Sequence, residues 1–166
     1  MADNRWPPLL RDAIAAAGRW GVPAVVDVEA PCEADALQGA THLAFSMQGL
    51  ADFAPGLDRD NALRRAAGDY RCWVAVTDGA EGVWFTKGES IAHIPAFAVE
   101  AVDTLGAGDV WHGLFALRLA EGADERTAIR FANAGAALKC RTFGGVAGCP
   151  DRAATEAFLR ESETCN

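Results

Sequence analysis

No apolar run in this sequence approaches the length that crosses a membrane, so a spanning helix is excluded and no membrane partner is expected. The opening residues, Met1 to Pro8, lack a basic region followed by an apolar one, and no secretory signal is expected. Basic residues are also scarce: 15 Lys and Arg face 23 Asp and Glu, a formal net charge of −8. A chain without basic excess cannot neutralise a phosphate backbone, which excludes a nucleic-acid partner; local amides and one cation can still hold a small anion. The five cysteines, Cys32, Cys72, Cys140, Cys149 and Cys165, are odd in number and contain no C-x-x-C pair. That argues against a disulfide framework and a cysteine metal site, and fits reduced thiols in a cytoplasmic protein. A dinucleotide fingerprint is missing too: the first strand runs into Val28-Glu29-Ala30-Pro31 where a Gly-x-Gly-x-x-Gly would stand. No internal repeat or linker divides the 166 residues, enough for one domain with a real core.

What is present alternates. Residues 6–17 read as a helix with proline in its first turn, stopped by Gly18. Apolar runs at 23–28, 41–45 and 72–76 read as buried strands, separated by a brief helix at 33–37, a turn or two at 47–53, and an amphipathic helix over 58–67 capped by Asp58. Residues 83–86 and 90–94 around Lys87-Gly88 read as a hairpin, and 97–102 as extended chain. Helices follow over 107–120, from Asp124 to about 140, and from Asp151 to about 160, with a glycine-rich loop at 142–148 between the last two. Short apolar strands alternating with amphipathic helices predict a mostly parallel sheet covered on both faces. In such sheets ligands bind beyond the carboxyl ends of the strands. Trp73 and Trp84 are expected in the core, and His42 and His93 in structural roles.

The stretch Asp103-Thr104-Leu105-Gly106-Ala107-Gly108-Asp109 carries the chemistry. It leaves the backbone bare where a helix begins. The first N–H groups of a helix have no partner inside it, and the helix dipole is positive there, so the junction suits an anion. Asp109 falls in the first turn, beside whatever anion the loop holds, where a carboxylate can take a proton from a hydroxyl attacking a phosphoryl group. The competing reading is a plain helix start with an acidic first turn. His112, one turn on, reads as a packing or supporting residue.

With its flanks, 101–113, this stretch resembles the second signature of the ribokinase-like, phosphofructokinase-B-type carbohydrate kinases: Asp-Thr, small residues, Gly-Asp, then an aromatic and a Gly in the helix. The form looks most like bacterial sugar kinases near the fructose and sulfofructose kinases. The resemblance implies a three-layer α/β ribokinase-like fold and ATP-dependent phosphorylation of a sugar hydroxyl. It makes Asp109 the general base, with Gly106, Ala107 and Gly108 as the anion hole. It places Thr77, Gly79 and Gly82 in the turn nearest the nucleotide, and Gly145 in a loop beside the adenine. Asn133 lies in a helix walling the nucleotide, a contact or a satisfied buried amide. Asp103 falls to a K+ site, to loop ordering, or to a plain turn capping backbone amides. Expected cofactors are ATP, Mg2+ and K+.

Two departures accompany the match. Where family members carry Asn-x-x-Glu to organise magnesium through water, this chain has Ser46-Met47-Gln48-Gly49, with Gln48 or Asp52 as substitutes. The family's N-terminal half, with its sugar-gripping acid and β-sheet lid, is not represented, so residues 1–166 read as a single partial domain. Such a piece is expected to need that half or to pair with a second copy, and a truncated or inactive nucleotide-binding remnant is the alternative.

Overall fold

The computed structural model of the protein describes residues 1–164. The chain forms two compact units, one of Met1–Asp78 with Val83–His93, the other of Gly79–Gly82 with the chain from Ile94 onward.

The first unit holds the sheet. Six strands lie in sequential order: β1 (Ala2–Asp3), β2 (Val25–Val28), β3 (His42–Ser46), β4 (Trp73–Thr77), β5 (Val83–Lys87) and β6 (Ser90–Ile94). The first four pair parallel, β5 returns antiparallel to β4, and β6 lies beside β5, where the sequence placed a hairpin. Alternation along the strands sends Val26, Val28, Leu43, Phe45, Val74 and Val76 into one buried cluster with Leu10, Ile14 and Leu63. Val25, Asp27, Ala44 and Ala75 point the other way and are buried as well, as both faces of a parallel sheet usually are.

The helices of this unit are α1 (Pro7–Trp20), α2 (Met47–Phe53) and α3 (Arg59–Tyr70). α1 runs past Gly18, which sits on the helix surface, and stops at Gly21, whose φ of 64° accepts the left-handed cap. An interior glycine costs only about 1 kcal/mol, too little to end a helix whose Leu10 and Ile14 are already buried. α3 also outruns its expected end: the extra turn buries Tyr70, whose hydroxyl donates to the Ala34 carbonyl at 3.0 Å. β1 carries no sequence pattern and was not expected. It is positioned by Asn4, whose side chain donates to the Glu29 and Pro31 carbonyls and accepts from the Glu29 N–H.

The second unit is helical: α4 (Ala107–Ala120), α5 (Glu125–Cys140) and α6 (Arg152–Thr164). Trp111 and Phe115 of α4 stack with centroids 5.0 Å apart. α5 lies so close to α4 that a Cβ on Gly135 would run into the Leu114 side chain. Glu121 holds Arg118 at 2.6 Å and also pairs with Arg152 at the start of α6. Residues 97–102 form no strand, but end where the Val102 N–H donates to the Cys140 carbonyl.

Candidate functional site

The heptapeptide starts from the end of α5. The Val102 and Asp103 N–H groups both donate to the Cys140 carbonyl, at 2.7 and 3.1 Å. Asp103 then folds its carboxylate inward. Oδ1 accepts from the Leu105 N–H at 3.0 Å, and Oδ2 accepts from the Gly144 N–H at 3.0 Å and from Lys139 Nζ at 3.1 Å. Lys139 Nζ donates also to the Asp103 carbonyl at 3.1 Å. The Lys139 side chain is 1% exposed and that of Asp103 15%. The two backbone amides, and after them the lysine, hold the Asp103 carboxyl below the usual carboxylate range.

Three residues on, the character reverses. Gly106, at φ 77°, occupies the N-cap of α4, and no side chain caps the helix. α2, α3 and α5 instead begin with Ser46, Asp58 and Asp124 accepting from their first-turn amides. The Ala107 N–H reaches the Thr104 carbonyl at 3.1 Å. Gly108 has nothing within 4 Å of the position a Cβ would take. A helix prefers almost any residue to glycine, and no packing contact calls for one at this position. Its carbonyl accepts from Nδ1 of the buried His112 at 2.8 Å, which fixes the turn. Asp109 is exposed, and no described residue donates to its carboxylate.

The other sequence-predicted residues divide. Gly145 is exposed, in the loop leading to a turn at Val146–Gly148, between Phe143 and Val146, which are 80% and 90% exposed. Asn133 is buried, its Oδ1 accepting from Trp111 Nε1 at 2.7 Å and its Nδ2 donating to the Pro95 carbonyl at 3.1 Å. That is the satisfied-amide arrangement, and it ties α4 to α5. Gly79 opens a single helical turn, Gly79–Glu81. Gly82, at φ 98°, is required by its own chain: a Cβ there would stand 2.6 Å from the Ala96 nitrogen. Thr77 belongs to the sheet unit, where it ends β4 in register with Ser46 and donates to the Phe45 carbonyl at 3.4 Å. A groove of about 290 Å³ lined by Arg118, Thr127, Arg130, Phe131, Glu156 and Leu159 contains none of the predicted site residues. The heptapeptide lies on an open surface instead, with Thr104, Leu105, Gly108 and Asp109 exposed.

Sequence reasoning missed Lys139 and Glu29. A lysine in the last turn of a helix ordinarily complements the dipole from solvent, and nothing local marks this one as buried. Glu29 Oε2 accepts from Ser46 Oγ at 2.9 Å, while Ser46 Oγ accepts from the Gly49 N–H at 3.0 Å. A Cβ at Gly49 would collide with the Val28 carbonyl, so a glutamate cannot stand there while β2 passes so close. Of the two expected substitutes, Gln48 is exposed and Asp52 is engaged by the Cys32 N–H at 2.8 Å. The described cysteines are free thiols, with Cys32 and Cys72 pushed up to about 11, chiefly by burial. Cys165 lies outside the described residues. Among the described residues no group of three or more His, Cys, Asp or Glu side chains could hold a metal ion, and no helix is long and apolar enough to cross a membrane.

The family model described as pfkB family carbohydrate kinase matches residues 1–152. The ribokinase of Bacillus subtilis strain 168 is 36% identical over 129 residues, covering 78% of this chain and 43% of the relative. A crystallised ribokinase candidate from Agrobacterium tumefaciens superposes with a TM-score of 0.90 at 36% identity, over 98% of this chain and 55% of that one. A fructokinase double mutant from Vibrio cholerae O395, crystallised with fructose, ADP and a potassium ion, superposes with a TM-score of 0.76 at 25% identity, over 89% of this chain and 54% of that one. The fold class is therefore the expected three-layer α/β ribokinase-like one, with a mostly parallel sheet. The chain spans about half the length of the relatives it matches.

Proposed function

The chain belongs to the pfkB family of carbohydrate kinases, and from that premise we propose that it carries the nucleotide-binding and catalytic portion of an ATP-dependent sugar kinase. The observation that carries the reading is the contrast around α4: a motif-matched helix start with no side-chain cap, an unpacked Gly108, and an exposed Asp109 whose carboxylate no described residue engages.

Asp109 takes the proton from a sugar hydroxyl as that oxygen bonds to the γ-phosphorus. The bond from phosphorus to the β–γ bridging oxygen breaks, and ADP leaves. Gly106, Ala107 and Gly108 line the transferring group: the amides of Gly106 and Gly108 meet the charge building on it, while the Ala107 N–H stays on the Thr104 carbonyl and holds the turn. Phe143 and Val146 offer apolar surface for a base beside Gly145, and Thr77, Gly79 and Gly82 form the nucleotide-proximal turn. Glu29, oriented by Ser46, is the carboxylate in place of the missing Asn-x-x-Glu and would hold the water shell of Mg2+, not the ion itself. Magnesium would supply charge neutralisation on the phosphates.

A second reading, a nucleotide-binding piece that does not phosphorylate sugar alone, is favoured by the 43% coverage of the curated relative. It is favoured also by apolar surface near the short edge strand β1, where Trp6, Leu9 and Trp20 are 66%, 56% and 80% exposed. ATP consumption by the purified chain against a panel of ketoses and aldoses, with mass by light scattering, separates the two. Turnover that Asp109→Asn removes supports the kinase reading. A self-associated chain that binds ATP without consuming it supports the second, and a chain that does neither overturns both.

A further inference from the structure

The expected monovalent cation and the residues at Asp103 do not fit each other. A cation needs a free carboxylate oxygen lone pair and open carbonyls. At Asp103 one oxygen is held by the Leu105 N–H, and the other by the Gly144 N–H and Lys139 Nζ. The same Nζ takes the Asp103 carbonyl. A second univalent charge would meet the lysine ammonium head-on, since like charges at such spacing repel strongly away from water.

We infer that Lys139 is a built-in monovalent cation: its ammonium orders the 103–106 turn and the 142–145 loop, and the chain has no requirement for K+. Three observations converge on it. The Lys139 side chain is 1% exposed, so its charge belongs to the interior and not to solvent. Its stem packs beneath the loop, with Cδ 3.2 Å from where a Cβ on Gly148 would lie, so the loop closes over the lysine. The three donors on Asp103 come from α5, from the glycine loop and from the turn that ends in the anion hole, so one carboxylate joins all three segments. An ammonium and a potassium ion carry the same charge. A lysine, however, is tethered and always present, so the loop does not wait on ionic conditions.

Lys139 is thus a positioning residue for the anion hole. The inference rests on the kinase reading only for what the loop is for. Its test reads loop order, so either can fail alone. Hydrogen exchange at the Leu105 and Gly144 amides and the thermal midpoint are followed in KCl, NaCl and tetramethylammonium chloride at equal ionic strength. The unaltered chain is expected to give the same protection and midpoint in all three, and 205Tl+ is expected to show no bound resonance. Lys139→Met is expected to lose protection at both amides and to regain at least half of it in KCl but not in tetramethylammonium chloride. K+-specific protection in the unaltered chain overturns the inference. So does a folded Lys139→Met that keeps full protection in every salt. If Lys139→Met does not fold, the salt and thallium measurements on the unaltered chain still decide it.

Discussion

Two carboxylates close the ends of one heptapeptide, and they live in different chemistry. Asp103 is three-quarters enclosed by donors: two backbone amides and a buried ammonium hold its oxygens. Asp109 stands in the first turn of α4 with no donor among the described residues. A carboxylate that spends three of its roughly four acceptor sites on protein donors holds the fold together and has little left for a ligand. An open one contributes little to the fold and keeps its lone pairs for a proton. Two acids of the same type, six residues apart, are therefore partnered in opposite ways.

The largest expected effect tests the open end. In a version extended to its relatives' full length, Asp109→Asn should lower phosphoryl transfer by roughly 10²–10⁴-fold with ATP affinity and thermal midpoint nearly unchanged. Rate constants and titration calorimetry on both forms check it, and near-normal turnover would remove Asp109 as the base. Next comes the closed end: Asp103→Ala leaves the Lys139 ammonium buried without its counter-charge. The thermal midpoint should fall on the order of 10 °C, the size expected for an orphaned buried charge. An unchanged midpoint would mean that the pairing carries no stability.

The same contrast has a pH signature. The folded-state value of Asp103 lies below the usual carboxylate range, because of the Leu105 and Gly144 amides first and Lys139 next. Its contribution is complete above that range and lost as pH falls through the lowered value. Denaturant titrations below about pH 5 should show a shallower acid decline for Asp103→Ala than for the unaltered chain. Parallel declines would break the comparison. The smallest effect separates bare backbone from packing. Gly108→Ala meets open space and should leave stability unchanged or raise it by up to about 1 kcal/mol, while lowering turnover more than it weakens ATP binding. Unfolding by the alanine would show that the glycine serves the fold.

Much of this was legible in the chain. Short apolar runs marked β2, β3 and β4 to within a residue or two, because a strand buried on both faces leaves mostly apolar choices. Asp58 and Asp124 marked their helix starts, because a side-chain cap is a local bond between near neighbours. The heptapeptide marked the start of α4 for the same reason: glycines beside a helix start are a property of consecutive residues.

What only the tertiary structure decided involves partners far apart in sequence. β1 has two residues and no pattern, and exists because Asn4 reaches residues 29 and 31. Asn133 could have faced a ligand or the core, and Trp111 and Pro95 settled its amide inside. Gly49 cannot be glutamate because the β2 backbone lies against it. Asp103 and Lys139 are 36 residues apart, and each alone reads as an ordinary polar residue at an element end. Burial turns them into an ion pair, because a charge removed from water must find its opposite wherever the fold brings one.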